Sequence, residues 1–76
     1  MDIGVSLKKI RMYKNYSQQY VAKYLNVSRS TYINWEKNKT NLTLQRCDKL
    51  CELYDIHITG LIEFHLKLLN NANNLN

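Results

Sequence analysis

The 76-residue chain contains no proline, only two glycines and no long uninterrupted run of apolar residues. A β-sandwich or β-barrel depends on many tight turns, and glycine and proline form most of them. A membrane-spanning helix needs roughly 20 consecutive apolar residues, and no stretch approaches that length. Because 45% of the residues are nevertheless apolar, the composition favours one compact helical domain with a hydrophobic core.

Residues that carry catalytic or metal chemistry are also scarce. We find no glycine-rich phosphate loop and no paired carboxylates resembling an active site, so we predict neither an enzyme nor a cofactor. Cys47 and Cys51 lie one helical turn apart, where a disulfide would distort the backbone, and we expect buried, reduced thiols in a cytoplasmic protein. With His57 and His65 they could supply four zinc ligands. Their spacing matches no zinc-finger pattern, however, and we predict no metal site.

The charge balance indicates the kind of partner. Eleven Lys and Arg oppose six Asp and Glu, which gives a net charge of +5 and favours an anionic partner. No basic amphipathic stripe with bulky apolar residues opposite stands out, so nucleic acid is favoured over a membrane. Residues 1–4 lack the features of a signal peptide, and no small-molecule site is evident. Taken alone, the charge is equally consistent with a role in solubility.

The spacing of apolar residues predicts five helices, at 3–14, 18–25, 29–37, 44–54 and from about 58 to 69. Residues 1–69 would form one domain, and we expect the Asn-rich tail, 70–76, to fray. Trp35 is predicted to anchor the core. The hydroxyl of Tyr32, which lies in the same helix, should then reach the surface or an acceptor.

Helices two and three are predicted to form a pair joined by a tight turn. Ser17 and Ser28 precede the two helices at the positions of N-caps, and an apolar residue precedes each serine. Asn26, between the helices, tolerates the left-handed backbone conformation that such a turn requires. Two short helices held in this way are typical of a helix-turn-helix, which places its second helix in the DNA major groove.

The segment from Ser17 to Lys37 and the frame around it resemble the lambda-repressor/Cro-like (XRE-type) helix-turn-helix domains, over about residues 7–62. The matching positions are Leu7, Arg11, Ser17, Gln18, Val21, Ala22, Leu25, Val27, Ser28, Ser30, Thr31, Trp35, Glu36, Asn41, Leu44, Leu50, Ile56, Ile58, Leu61 and Ile62. The resemblance implies an all-α five-helix bundle that binds double-stranded operator DNA and regulates transcription in a prokaryotic or phage setting.

The resemblance also implies which residues contact DNA. The side chains facing the major groove would be Ser28, Arg29, Ser30, Ile33 and Asn34. Arg29 suits guanine, Asn34 suits adenine, and Ile33 suits a thymine methyl group, although the family usually has a polar residue there. Those expected at phosphates are Gln18, Lys39, Thr40 and Asn41. The alternative is that these side chains are simply solvated.

Two further expectations concern the frame and the assembly. The family commonly pairs an arginine of helix one with a glutamate of helix three, here Arg11 and Glu36, and the alternative is a solvated arginine. The apolar stripe of helix five is wider than one small core needs, which indicates a partner, most simply a second copy. The residues predicted at that interface are Leu61, Ile62, Phe64, His65 and Leu68.

We therefore predict a repressor that binds a palindromic operator as a homodimer. Two alternatives use the same frame, namely a controller protein of a restriction-modification system and an antitoxin-like module that binds a partner protein as well as DNA.

Overall fold

The computed structural model describes the backbone of residues 3–74 and the side chains of residues 3–71. Over that range the chain forms five α-helices and no strand, which confirms the all-α prediction. The helices are α1 (Gly4–Tyr13), α2 (Gln18–Tyr24), α3 (Arg29–Glu36), α4 (Leu44–Tyr54) and α5 (Ile58–Asn74). The first four agree with the predicted bounds to within one residue at each end. Helix α5 continues through Asn74, past its predicted end near Leu69, and residues 75 and 76 lie outside the described part. No helix in the described range has the length and apolar character needed to span a membrane.

Three helices begin at a side-chain cap. The hydroxyls of Ser17, Ser28 and Thr43 accept hydrogen bonds from the backbone amides three residues further on, at 3.0, 3.1 and 3.2 Å. Each cap satisfies one of the amide groups that have no partner within the helix, which stabilises a helix by about 1 kcal/mol. These caps explain why the helix starts could be predicted so closely.

Four helices are followed within two residues by a residue in the left-handed conformation, and none of these residues is glycine. Asn15, Asn26, Asn38 and Asp55 have φ between 55° and 61°. At each turn the next amide donates to a carbonyl five residues back, at 2.9–3.1 Å. Asparagine and aspartate tolerate this conformation better than other side chains do. The chain can therefore turn four times with almost no glycine.

The core lies where the inner faces of all five helices meet. Trp35 is only 4% exposed and packs edge-to-face with Tyr32, as expected for a core anchor. Cys47 and Cys51 are buried and free, and burial raises the pKa of Cys51 to about 11, so this thiol is protonated at neutral pH. The fully buried side chains include Leu7, Val21, Ala22, Tyr32, Leu50, Tyr54 and Leu61.

The expectation for the Tyr32 hydroxyl was wrong. Tyr32 is 0% exposed, and neither its hydroxyl nor that of the buried Tyr54 has a hydrogen-bond partner within the described range. Burial is the main reason why both pKa values are raised, that of Tyr54 to about 12. The ring packing of these two tyrosines holds their hydroxyls inside the core at an energetic cost.

The amino end of α1 is packed directly against the carboxyl end of α3. The Gly4 amide donates to the side-chain oxygen of Asn38 at 2.8 Å. A Cβ atom on Gly4 would collide with the backbone carbonyls of Trp35 and Glu36, so only glycine permits this approach. Gly60 differs, because a Cβ atom there would meet no atom within 4 Å.

These two glycines provide a matched pair of substitutions. Gly4→Ala should destabilise the domain by about 1–3 kcal/mol, because α1 or α3 must shift to relieve the collision. Gly60→Ala should stabilise it by up to about 1 kcal/mol, because alanine favours the helix and the site has room. Urea unfolding of both variants measures the two effects. Equal effects of the two changes would show that α1 does not approach α3 as closely as described.

Candidate nucleic-acid interface

Helices α2 and α3 form one rigid corner around Asn26. The amides of Asn26 and Val27 donate to carbonyls in α2 at 3.1 and 3.0 Å, which closes the turn. The inner face of the corner is apolar, and Val21, Ala22 and Tyr32 are completely buried on it. This packing orients α3 so that its amino end and opposite side face outward.

The structure brings the five residues predicted to face DNA together on the outer side of α3. Ser28, Arg29 and Ser30 are exposed at its amino end, and Ile33 and Asn34 are half-buried one turn further on. Unpaired amides give this end of the helix a positive partial charge that favours an anion.

The Ser28 hydroxyl is already engaged in the free protein. It accepts from the Thr31 amide, donates to the Thr31 hydroxyl at 2.8 Å and lies 3.2 Å from the Ser30 hydroxyl. A DNA contact by Ser28 would have to share the oxygen that caps α3.

The distribution of charge along the chain is more uneven than the net charge shows. Nine of the eleven Lys and Arg residues lie between residues 3 and 47, whereas Glu36 is the single carboxylate in that segment. Glu36 is buried and paired with Arg11, so its charge does not offset the surface. A count of charges by segment would have revealed this asymmetry from the sequence alone. The exposed cations near α2 and α3 are Lys23, Arg29, Lys37 and Lys39.

A buried ion pair connects α1 to the end of α3. Arg11 Nε lies 2.6 Å from Glu36 Oε2, and a second Arg11 nitrogen lies 3.3 Å from Glu36 Oε1. Arg11 also donates to the Tyr16 carbonyl at 2.9 Å, which fixes the start of the turn into α2. The two side chains are 11% and 3% exposed. The arginine therefore holds three successive helices in register.

The ionisation of Glu36 reflects these neighbours. Burial by itself raises the pKa of the carboxyl, but hydrogen bonding to Arg11, proximity to the Tyr32 hydroxyl and hydrogen bonding to Gln18 outweigh it, so the pKa lies below its ordinary value of 4.5. Tyr32 acts as a near neighbour, since its hydroxyl does not reach hydrogen-bond geometry. The Arg11 pKa is raised, chiefly by its hydrogen bond to Glu36. Both groups are thus charged at neutral pH.

Gln18, predicted at a phosphate, belongs to the same network. Its side-chain amide donates to Glu36 Oε1 at 3.1 Å, and the residue is half-buried at the first position of α2. This bond uses neither the second N–H of the side-chain amide nor the backbone amides in the first turn of α2. The network therefore fixes the position of the glutamine at the amino end of α2.

The loop after α3 presents the remaining phosphate candidates. Lys39, Thr40 and Asn41 are all exposed in it. Arg46, at the start of α4, instead lies over the Trp35 ring, 5.2 Å from its centre, and this cation–π contact is not evident from the sequence.

The interface predicted on α5 needs to be corrected, because some of its residues are buried in the structure. Leu61 is 1% exposed and belongs to the core, so it has almost no surface for a partner. His65 is half-buried, with Nδ1 2.9 Å from the Ser6 hydroxyl. Ile62, which was predicted at the interface, is 38% exposed, and the helix also exposes Leu66 and Leu69, at 51% and 48%. The predicted stripe was centred on the core face because apolar spacing does not show which flank is covered. Phe64 and Leu68 are half-buried.

Comparison with known proteins agrees with this geometry. A family model described as helix-turn-helix matches residues 7–61. The crystal structure of the clp gene regulator ClgR from Corynebacterium glutamicum is similar, with a TM-score of 0.85 and 15% sequence identity. The similarity covers 96% of this chain and 80% of that one, and at this identity it concerns the fold. Among curated proteins, none matches the sequence significantly.

The lowered pKa of Glu36 predicts that the folded domain becomes less stable in acid. A carboxyl whose pKa is lower in the folded state stabilises the fold above its unfolded pKa, and this stabilisation is lost as the pH falls through the folded value. We expect the free energy of unfolding to decrease below about pH 4.5, the ordinary pKa of the group. Glu36→Gln should lose about 3–5 kcal/mol at pH 7, because Arg11 would remain buried without its partner.

Denaturant unfolding between pH 7 and pH 3 measures this effect, and Glu52→Gln, at an exposed site in α4, is the control. The control should follow the wild-type pH dependence. A Glu36→Gln variant as stable as the wild type at pH 7 would contradict the role of the ion pair.

Proposed function

Because the chain belongs to the lambda-repressor/Cro-like (XRE-type) helix-turn-helix family of DNA-binding domains involved in transcription regulation, we propose that it represses transcription by occupying a palindromic operator as a homodimer. The observation that carries this proposal is the amino end of α3. There, Arg29 is exposed, and no carboxylate within the described residues lies within salt-bridge distance of it. Repression requires only that the operator be occupied, whereas activation requires a further contact with the transcription machinery. We place this binding function, which involves no catalysis, in the cytoplasm.

Base recognition is assigned to the outer side of α3. Arg29 can donate two hydrogen bonds to guanine O6 and N7, and Asn34 can pair with adenine N6 and N7. Ile33 presents an apolar surface suited to a thymine methyl group. Ser28 and Ser30 are close enough to the helix end to reach a base or a phosphate. This set supports recognition of a short mixed sequence in each half-site.

Phosphate contacts are assigned to both ends of the corner. Gln18 lies at the first position of α2, where amides and side chain can together hold one phosphate. Lys39, Thr40 and Asn41 lie beyond the carboxyl end of α3 and would hold a second. Both sets lie near the carboxyl end of α3, where Gln18 contacts Glu36, and together they would fix the register of the recognition helix on the duplex.

Dimerisation is assigned to the outer flank of α5. One recognition helix reads too few base pairs to select a site in a genome, so a pair of them is needed. Ile62, Leu66 and Leu69 form an exposed apolar patch on one flank of α5, which we call the α5 patch. Beside it, Leu44 is 74% exposed at the edge of a cavity of about 230 Å³ that Ile62 also lines. A second copy would cover this surface, and its symmetry would place half-site centres about 10 base pairs, or 34 Å, apart.

Different residues should determine the sequence specificity and the overall affinity of DNA binding. Once selection from random DNA has yielded the operator, Arg29→Ala and Asn34→Ala should each cost about 1–3 kcal/mol and relax preference at one base pair. Lys39→Ala should weaken operator and random DNA alike and reduce the salt dependence of binding. Titrations at several salt concentrations measure both effects. An unchanged selected sequence for Arg29→Ala would refute its assignment to a base.

If the α5 patch is the dimer interface, a charge introduced there should separate the two copies. Leu66→Glu and Leu69→Glu should each leave the helix content unchanged but separate the dimer, because a carboxylate would be buried in an apolar interface. Binding to the palindrome should then fall towards that of a half-site. Sedimentation and DNA titration measure the two consequences, at concentrations low enough that mass action does not restore the dimer.

Asn71→Glu adds the same charge at an exposed position on another side of α5 and is the matched control. It should remain dimeric. If both leucine variants bound the palindrome as tightly as the wild type, the α5 patch would not be the dimer interface, and an antitoxin-like use of this patch would become the better hypothesis.

A further inference from the structure

A groove between α1 and α5 is lined by no residue of the DNA-binding surface or the α5 patch. Its volume is about 570 Å³, and Ile10, Ile56 and Phe64 form much of its apolar wall. This size lies in the range of ligand sites, roughly 300–1,000 Å³. Phe64 and the residues of the α5 patch project from different sides of α5, since residues two apart on a helix differ by about 200° in direction. A second copy on the α5 patch would therefore leave the groove open.

The rim of the groove carries an aromatic side chain that the described part of the chain leaves mostly uncovered. Tyr13 is 84% exposed, although it lines the groove beside Ile10. Tyrosine is enriched in protein interfaces because it offers a large rigid apolar face together with a hydroxyl group. Its position therefore suits contact with a partner.

Gly60 gives the groove an opening in the surface of α5. Gly60 lies inside the helix, and a Cβ atom added at this position would have no neighbouring atom within 4 Å. Its φ is not positive, so the backbone does not require glycine. Alanine would fit and would favour the helix, which means that the fold itself gives no reason for glycine. The absent side chain leaves room beside Phe64 for a side chain from another molecule.

The charges at the groove are of one sign. Lys9 is exposed and Lys14 is half-buried, and both line the groove. Of the carboxylates in the described residues, none lies within 4 Å of either lysine, since the single salt bridge found there joins Arg11 to Glu36. An acidic partner would supply the missing counter-charges.

We propose that the α1–α5 groove is a docking site for an acidic segment of a partner protein, which inserts an apolar side chain over Gly60 and places carboxylates beside Lys9 and Lys14. The apolar lining provides affinity, and the two lysines select the charge of the segment. This proposal is independent of the proposed operator and dimer, because it uses none of their residues.

The test uses the full chain labelled with ¹⁵N and a set of synthetic peptides. Each peptide consists of Glu and Ser around one central Leu, Phe or Trp, and its control has Lys in place of every Glu. At least one acidic peptide should produce saturable shifts at the amides of Ile10, Tyr13 and Gly60. The basic controls should produce none.

Two variants test the groove itself. Gly60→Leu fills the opening, and Lys9→Glu with Lys14→Glu reverses the rim charge; each should weaken peptide binding at least tenfold. The matched control reverses Lys23 and Lys49, which are exposed and do not line the groove, and it should bind within about twofold of the wild type. Circular dichroism verifies folding, and if Gly60→Leu does not fold, the charge-reversal pair decides the question.

Several results would overturn the proposal. The first is that no acidic peptide produces a saturable shift at millimolar concentration. The second is that the basic peptides bind as tightly as the acidic ones, and the third is that neither groove variant changes peptide binding. Shifts of the same amides on titration with duplex DNA would place the groove in the DNA-binding surface instead. Binding of a free carboxylate such as indole-3-acetate without binding of any peptide would identify a small-molecule site. Loss of DNA binding in the α3 variants is measured separately, so failure of either proposal is distinguishable from failure of the other.

Discussion

The buried ion pair between Arg11 and Glu36 is the constraint on which the position of the recognition helix depends. It connects the last turn of α1 to the last residue of α3, while Arg11 also donates to the Tyr16 carbonyl and Gln18 donates to Glu36. The close packing of Gly4 against the same end of α3 acts in the same direction. Because α3 is fixed at its carboxyl end, its amino end can project outward without losing its orientation, which base recognition requires.

This arrangement favours geometry over maximal stability. Burying a charge pair often contributes little net stability, because desolvation offsets much of the attraction. The hydroxyls of Tyr32 and Tyr54 add to the cost, since both are buried without a hydrogen-bond partner in the described range. The stabilising terms lie elsewhere, in the apolar core and in the three capped helix starts. The polar cluster around Glu36 therefore contributes more to the relative orientation of α1, α2 and α3 than to the stability of their packing.

The two halves of the chain have different surfaces. Residues 3–47 carry most of the cations, and their single carboxylate is buried, whereas residues 48–63 carry four of the six acidic residues. Helix α5 leaves apolar surface uncovered on two sides, the α5 patch and the groove beside α1. A long helix packed by one face against so small a core exposes both of its flanks. DNA binding and protein contacts are in this way assigned to separate parts of one small domain.

Local chemistry in the sequence was sufficient for the bounds of the first four helices, the caps and the turn at Asn26, because each depends on residues only a few positions apart. The resemblance predicted which side chains face DNA and identified Arg11 and Glu36 as partners. Apolar spacing marked Leu61 and Ile62 alike, yet Leu61 is in the core and Ile62 is at the surface, because the packing of α1 and α4 decides which flank of α5 is covered. The partner of Gln18, the burial of the Tyr32 hydroxyl and the groove over Gly60 also depend on contacts between residues far apart in the chain. Those contacts exist only once the helices have packed, which is why tertiary structure alone decided them.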